Sequence, residues 1–225
     1  MLYADNPNGH DSLAGGSGSD FLAGRAGNDT LSTGAGNNVI SFNAGDGADT
    51  VISGAGAANA ISLGGGIGYD GLQLAKDGND LVLKTGQQDS LTLKDWYAGK
   101  DDVLTLQIIL DATAAFNANS SDPLLNKKVQ TFDFRGLVSQ FDQARAQSPG
   151  LSSWAMTNAL LQFHLAGSNE AALGGDLAYW YGKNGSLAGM SIDAAQQVIG
   201  AAGFGSDAQA LHPFSGLQDG LVRLN

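Results

Sequence analysis

The sequence predicts a mainly β protein with a helical C-terminal part: a parallel β-roll capped by an antiparallel β-meander, then a small α-helical module. Three patterns predict it. Glycine and aspartate recur in a nine-residue frame over residues 1–71, apolar residues alternate from Leu72 to Leu110, and beyond Pro123 they recur at helical spacing. Glycine follows the same division, with 17 of the 33 in residues 1–75. Predicted boundaries are 1–71 for the roll, 72–110 for the cap and 111–225 for the mainly helical module.

The frame is clearest in Gly15-Gly16-Ser17-Gly18-Ser19-Asp20-Phe21-Leu22-Ala23, and it continues through Gly24-Arg25-Ala26-Gly27-Asn28-Asp29-Thr30-Leu31-Ser32. Upstream it reads Asn6-Pro7-Asn8-Gly9-His10-Asp11-Ser12-Leu13-Ala14, and downstream Thr33-Gly34-Ala35-Gly36-Asn37-Asn38-Val39-Ile40-Ser41. The sixth position is thus Asp11, Asp20, Asp29 and then Asn38. Glycines at fixed offsets let the backbone turn through conformations closed to other residues, and the Leu or Ile two places after the Asp begins a short strand. Each repeat is one turn plus one strand, and two repeats complete a coil. Turns 18 residues apart then stack on one edge, pairing Asp11 with Asp29 and Asp20 with Asn38. Stacked carboxylates repel unless a cation lies between them. An oxygen-only cage suits a hard ion of flexible coordination, Ca²⁺ ahead of Mg²⁺ or a transition metal. Weaker copies follow at Gly45-Asp46-Gly47-Ala48-Asp49-Thr50-Val51 and Gly66-Ile67-Gly68-Tyr69-Asp70-Gly71-Leu72. Between them, Gly54-Ala55-Gly56-Ala57-Ala58-Asn59-Ala60-Ile61 keeps the turn, loses the carboxylate and gains one residue. The best cages are expected before residue 50.

This segment resembles the RTX, or haemolysin-type, calcium-binding repeat of proteins exported by type I secretion. The resemblance implies several Ca²⁺ ions, each held between two stacked loops by an Asp carboxylate and main-chain carbonyls from each loop. Carried over by position, one cage uses Asp11 and Asp29 with carbonyls of Pro7, Gly9, Gly24 and Ala26. A second uses Asp20 with Gly16, Gly18, Thr33 and Ala35, facing Asn38, whose neutral oxygen implies a weaker site. A third joins Asp29 to Asp49 through Arg25, Gly27, Ala44 and Asp46 across a longer spacing. Arg25 replaces a glycine where only a carbonyl is needed. The resemblance further implies a protein secreted from, or held at the surface of, a Gram-negative bacterium. It implies an uncleaved export signal in the C-terminal region, read by the ABC transporter complex of type I secretion. The tail Gly220-Leu221-Val222-Arg223-Leu224-Asn225 reads equally well as a frayed terminus or last strand.

Composition agrees with a turn-and-ligand role. Of 22 acidic residues only Glu170 is not Asp, whereas charge serving helix surfaces favours Glu. A net charge of −11 argues against nucleic acid or an anionic membrane as partner without a bridging cation. The chain has no Cys, hence no disulfide framework or thiolate metal site. No apolar run is long enough to span a bilayer, and the first residues lack a basic and apolar leader. Because the frame is already running at Asn6, further repeats are expected upstream.

From Leu72, alternation in Leu72/Leu74, Leu81/Leu83, Leu91/Leu93 and Val103 to Ile108 predicts three or four antiparallel strands. They are broken by turns at Asp77-Gly78-Asn79-Asp80 and Thr85-Gly86-Gln87-Gln88-Asp89. With Asp95-Trp96-Tyr97, this stretch resembles the calcium-binding-related domain found after RTX repeats, and it would close the open end of the roll. Ala112 to Asp122 reads as a linker. Leu125, Val129, Phe132, Leu137, Phe141 and Ala144 then predict a helix over Pro123–Gln147, with Gly136 a candidate break. Ser152 or Ser153 is expected to cap a helix over Trp154–Ala166, and Ser191 one over Ile192–Ala202 that Gly203 stops. Ala178-Tyr179-Trp180-Tyr181 supplies aromatics for a core.

Other motifs weigh less. Gly66-Ile67-Gly68-Tyr69-Asp70-Gly71 satisfies G-x-G-x-x-G, but a strand pattern follows it where a dinucleotide site needs a helix. His10, His164 and His212 form no paired motif, and no nucleophile elbow or P-loop is present. Trp154, Trp180 and Tyr181 fit an aromatic core better than a sugar groove. No enzymatic activity is therefore expected of this chain. The leading expectation is a calcium-binding RTX C-terminal region that folds on Ca²⁺ outside the cell and carries the export signal. The alternative is a calcium-stabilised adhesin or surface-layer module with a surface or self-association partner.

Overall fold

The computed structural model describes residues 1–3, 8–86 and 88–188. The repeats supply seven strands, β1 (Leu2–Tyr3), β2 (Ser12–Ala14), β3 (Phe21–Ala23), β4 (Thr30–Gly34), β5 (Val39–Asn43), β6 (Ala48–Ser53) and β7 (Asn59–Gly64). Then come β8 (Gln73–Asp77), β9 (Asp80–Lys84), β10 (Ser90–Leu93), β11 (Val103–Ile109) and β12 (Val129–Asp133). Helix α1 (Phe134–Gln147), strands β13 (Trp154–Ala155) and β14 (His164–Ser168), and helix α2 (Gly175–Asn184) complete the described elements.

Strands of the repeats alternate between two sheets of seven strands each, ordered β1-β3-β5-β7-β11-β12-β14 and β13-β8-β9-β10-β6-β4-β2. Every neighbouring pair among β1 to β7 is parallel, as a one-strand-per-repeat chain requires. Side chains at alternate positions face between the sheets, where Leu13, Leu22, Leu31, Ile40, Val51 and Ile61 join one buried cluster. Strands β4 and β6 alternate buried with less buried positions, while β5 and β7 are buried throughout. The difference comes from α2: its Leu177, Ala178 and Tyr181 cover Phe21, Val39 and Ala60 on the outer face of that sheet. A sheet covered on both faces favours apolar residues on both, and β5 supplies Val39, Ile40 and Phe42, with Ser41 buried among them.

The expected meander is present in β8, β9 and β10, which pair antiparallel. Its last strand also adds to β6 in parallel, Ser90 lying opposite Ala48. The expected fourth strand does not follow in the meander. Instead β11 crosses to the other sheet and extends it, parallel to β7. The reason is edge satisfaction: both sheets end at unpaired strands after residue 64, and one new strand goes to each.

Two helix expectations are corrected. The span Pro123–Gln147 divides into β12 and α1, because Val129 to Phe132, all buried, pair antiparallel with β11. Gly136 does not break α1. It sits in the first turn, where its N–H donates to the capping Asp133 Oδ1 at 3.0 Å, and a Cβ there would collide with the Phe163 ring. The span Trp154–Ala166 is not helical either. It starts in β13, paired with Leu74 and Gln73, passes through turns that bury Met156 and Leu160, and ends in β14 against β12. Its aromatic start serves packing, Trp154 stacking on Phe141 with centroids 6.2 Å apart. The helix expected over Ile192–Ala202 and the tail Gly220–Asn225 lie outside the described residues. Among the described residues no helix is long and apolar enough to cross a membrane.

Candidate metal centre

The nine-residue turns place the Asp side chains in vertical register. Asp11 N–H donates to Asp29 Oδ1 at 2.7 Å, and Asp29 N–H donates to Asp49 Oδ1 at 2.8 Å. One edge of the repeats thus carries Asp11, Asp29 and Asp49 in a continuous ladder. On the opposite edge Asp20 N–H donates to Asn38 Oδ1 at 2.8 Å, and Asn38 reaches Asn59 at 2.9 Å. The inserted residues before Asp49 and Asn59 lengthen the spacings to 20 and 21 without breaking either ladder.

Main-chain oxygens line the same edges. Gly9 O abuts Gly27, Gly16 O accepts the Ala35 N–H at 3.0 Å, and Gly18 O abuts Gly36. Gly27 N–H donates to Asp46 O at 2.9 Å, and Gly27 O abuts Gly47, whose φ of 95° only glycine adopts without strain. Gly24 lies against Asp29 Oδ2. Thr33 is fully buried, and Ala35 O accepts from Asn38 Nδ2 at 3.3 Å. Arg25, in a left-handed conformation (φ 65°), lines a cavity of about 600 Å³ with Ala26, Ala44, Asp46 and Tyr181. Pro7 lies outside the described residues.

The oxygens of the Asp ladder are poorly served by the protein alone. Asp11 Oδ2 and Asp29 Oδ2 are buried and have no hydrogen-bond partner. Asp29 and Asp49 are each 1% exposed. Burial raises the Asp29 carboxyl above the ordinary carboxylate range, with Asp11 adding repulsion. Burial, then repulsion from Asp29, Asp46 and Asp89, pushes Asp49 up to about 8. Asp46 rises to about 6, mainly through burial, although its Oδ2 accepts the Asn43 N–H at 2.8 Å and the Tyr181 O–H at 3.1 Å. Among the described residues no three His, Cys, Asp or Glu side chains converge as a metal-ligating group. A cation here must draw much of its shell from main-chain carbonyls. Orphaned carboxylate oxygens beside stacked carbonyls fit a hard divalent ion of that kind.

Three participants were not anticipated. Asp89, from the turn before β10, accepts the N–H groups of Gly45 at 2.7 Å and Gly47 at 3.2 Å, and its charge opposes those of Asp46 and Asp49. Nothing in the frame marks it, because it enters from the meander. Tyr181 arrives from α2, 135 residues along the chain from Asp46. Asn59 was legible as the sixth position of a turn lengthened by one residue.

This arrangement defines a class: a stacked-turn, oxygen-ligand cation-binding repeat protein. Residues 8–40 and 41–57 match the family model of the RTX calcium-binding nonapeptide repeat, in four copies. The match spans 50 of 225 residues, and over that stretch the chain carries repeats of the RTX type, a repeat family that binds calcium. A comparison with curated proteins found no match.

Proposed function

We propose that this chain is the C-terminal calcium-binding and export region of an RTX protein, in which residues 1–71 form a parallel β-roll that folds on Ca²⁺ outside the cell. The observation that carries it is the pair of buried, partnerless oxygens, Asp11 Oδ2 and Asp29 Oδ2, in a ladder where burial raises the carboxyl pKa values of Asp29 and Asp49. Where free calcium is scarce these carboxylates oppose one another and the turns stay open, so the chain remains threadable. At roughly millimolar calcium, the range of extracellular modules, ion binding contributes folding free energy. Residues 72–110 cap the roll, and residues 111–225 follow as a C-terminal module bearing the uncleaved signal read by the type I ABC transporter complex. The whole acts at the surface of, or beyond, a Gram-negative cell, and we assign it no catalytic step.

A second reading is a calcium-stabilised adhesin or surface-layer module. Leu161 and Leu165, 62% and 60% exposed, favour it, because β14 pairs only with β12 among the described strands and offers an edge to a surface or self-association partner. Far-ultraviolet circular dichroism during a Ca²⁺ titration, with Mg²⁺ as control, separates the two. A cooperative gain of β signal with Ca²⁺ alone supports folding on calcium. A spectrum already folded in EDTA and unchanged by calcium overturns it and leaves the second reading.

A further inference from the structure

The two ladders use one atomic position in opposite ways. Asp29 and Asn38 each accept, through Oδ1, the N–H of the residue 18 earlier, at 2.7 Å from Asp11 and 2.8 Å from Asp20. The other terminal atom of Asp29 is the buried, partnerless Oδ2. The other terminal atom of Asn38 is a nitrogen. Because a backbone N–H is satisfied only by the oxygen end of the amide, the contact with Asp20 fixes the way Asn38 faces. Its Nδ2 then donates to the main-chain oxygens of Ala35 and Gly36, both at 3.3 Å, and to Asn59 Oδ1 at 2.9 Å. Asn59 Nδ2 continues the network to Ser53 Oγ at 3.2 Å and Thr33 Oγ1 at 3.4 Å. Asn38 and Thr33 are 0% exposed and Asn59 is 1% exposed. These carbonyls therefore already have donors, and an incoming cation would meet amide N–H groups.

We infer that Asn38 and Asn59 are a hydrogen-bonded replacement for a calcium ion: the turns at 33–38 and 54–59 are joined without metal, and calcium loads the edge carrying Asp11, Asp29 and Asp49. The inference rests on the calcium reading above and makes the repeat one-sided. One edge is switched by the ion, and the other is held by a permanent amide network whose N–H groups occupy the space between the oxygens. Asp20 fits the same pattern, since its Oδ2 accepts the Gly16 N–H of its own turn at 2.9 Å.

The test counts bound calcium per chain after equilibrium dialysis, by elemental analysis, for the native protein, Asn38→Ala and Asn38→Asp, alongside urea denaturation in calcium and in EDTA. Asn38→Ala is expected to bind as many ions as the native chain and to lose the same stability in both buffers. Asn38→Asp places an oxygen where Nδ2 stood, facing Ala35 O, Gly36 O and Asn59 Oδ1. It is expected to bind one ion more than native, to be less stable than native in EDTA and to recover in calcium. Loss of an ion in Asn38→Ala, or no gain in Asn38→Asp, overturns the inference. A native chain that binds no calcium defeats the calcium reading instead, and the difference between Asn38→Asp and native still decides this one.

Discussion

Asp29→Asn converts the Asp ladder locally into the chemistry of the Asn38 edge, and its effect can be worked out from the contacts. The amide retains Oδ1 for the Asp11 N–H, now at 2.7 Å, and replaces the partnerless Oδ2 with NH₂. Asp29 borders two gaps, since its carboxylate meets Asp11 and its N–H meets Asp49 Oδ1 at 2.8 Å. An ion present at a hundredfold its dissociation constant adds about 2.7 kcal/mol of stability per site. Disabling both gaps should therefore remove about 5 kcal/mol of calcium-linked stability. In EDTA the sign reverses. Burial raises the Asp29 carboxyl pKa, so a neutral amide is easier to bury and the variant should be at least as stable as the native chain. Urea denaturation of both proteins, in saturating calcium and in EDTA, measures the difference directly. A variant that keeps the full calcium-dependent shift would refute the placement of the ions beside Asp29.

Three further outcomes are expected. Gly47→Ala forces a side chain into a left-handed turn (φ 95°) and into Gly27 O, and should cost about 2–5 kcal/mol, read as a lowered thermal midpoint in calcium. Tyr181→Phe removes the O–H donated to Asp46 Oδ2 at 3.1 Å and should cost about 1 kcal/mol without unseating the ring from Phe21, which the same thermal scans check. Asp176, buried in α2 with a partnerless Oδ1, has its carboxyl pushed from 3.8 to about 7 by burial. Its contribution is fully present below about pH 4 and declines as pH rises toward 7, because the unfolded chain ionises first. Asp176→Asn should flatten that slope and stabilise the protein at pH 8 by roughly 1–3 kcal/mol, and paired denaturation curves at pH 5 and pH 8 would expose a failure.

The legible parts of this protein are the periodic ones. A nine-residue frame sets turn, strand and side-chain phase within a single repeat, so the stacking of Asp11 on Asp29 and of Asp20 on Asn38 follows from counting residues. Alternation likewise marks β8, β9 and β10, because the two faces of a half-buried strand differ in polarity. What chain-local patterns do not carry is the choice of partner. Whether Val103–Ile109 pairs with the meander or with β7, whether Val129–Asp133 begins a helix or lies against β11, and whether Trp154–Ala166 coils or supplies two edge strands all depend on which strand edges the rest of the chain leaves open. The same holds at the site. Residue types announce an oxygen cage for a hard cation, but the arrival of Asp89 and Tyr181 beside Asp46, and the orientation of Asn38's amide between Asp20 and Asn59, are decided by hydrogen bonds between separate segments of the chain. Repeat geometry is encoded locally because each repeat satisfies its backbone in the same way. Caps, covers and closures are encoded only in the assembled fold, where each unpaired edge and buried polar atom selects its partner.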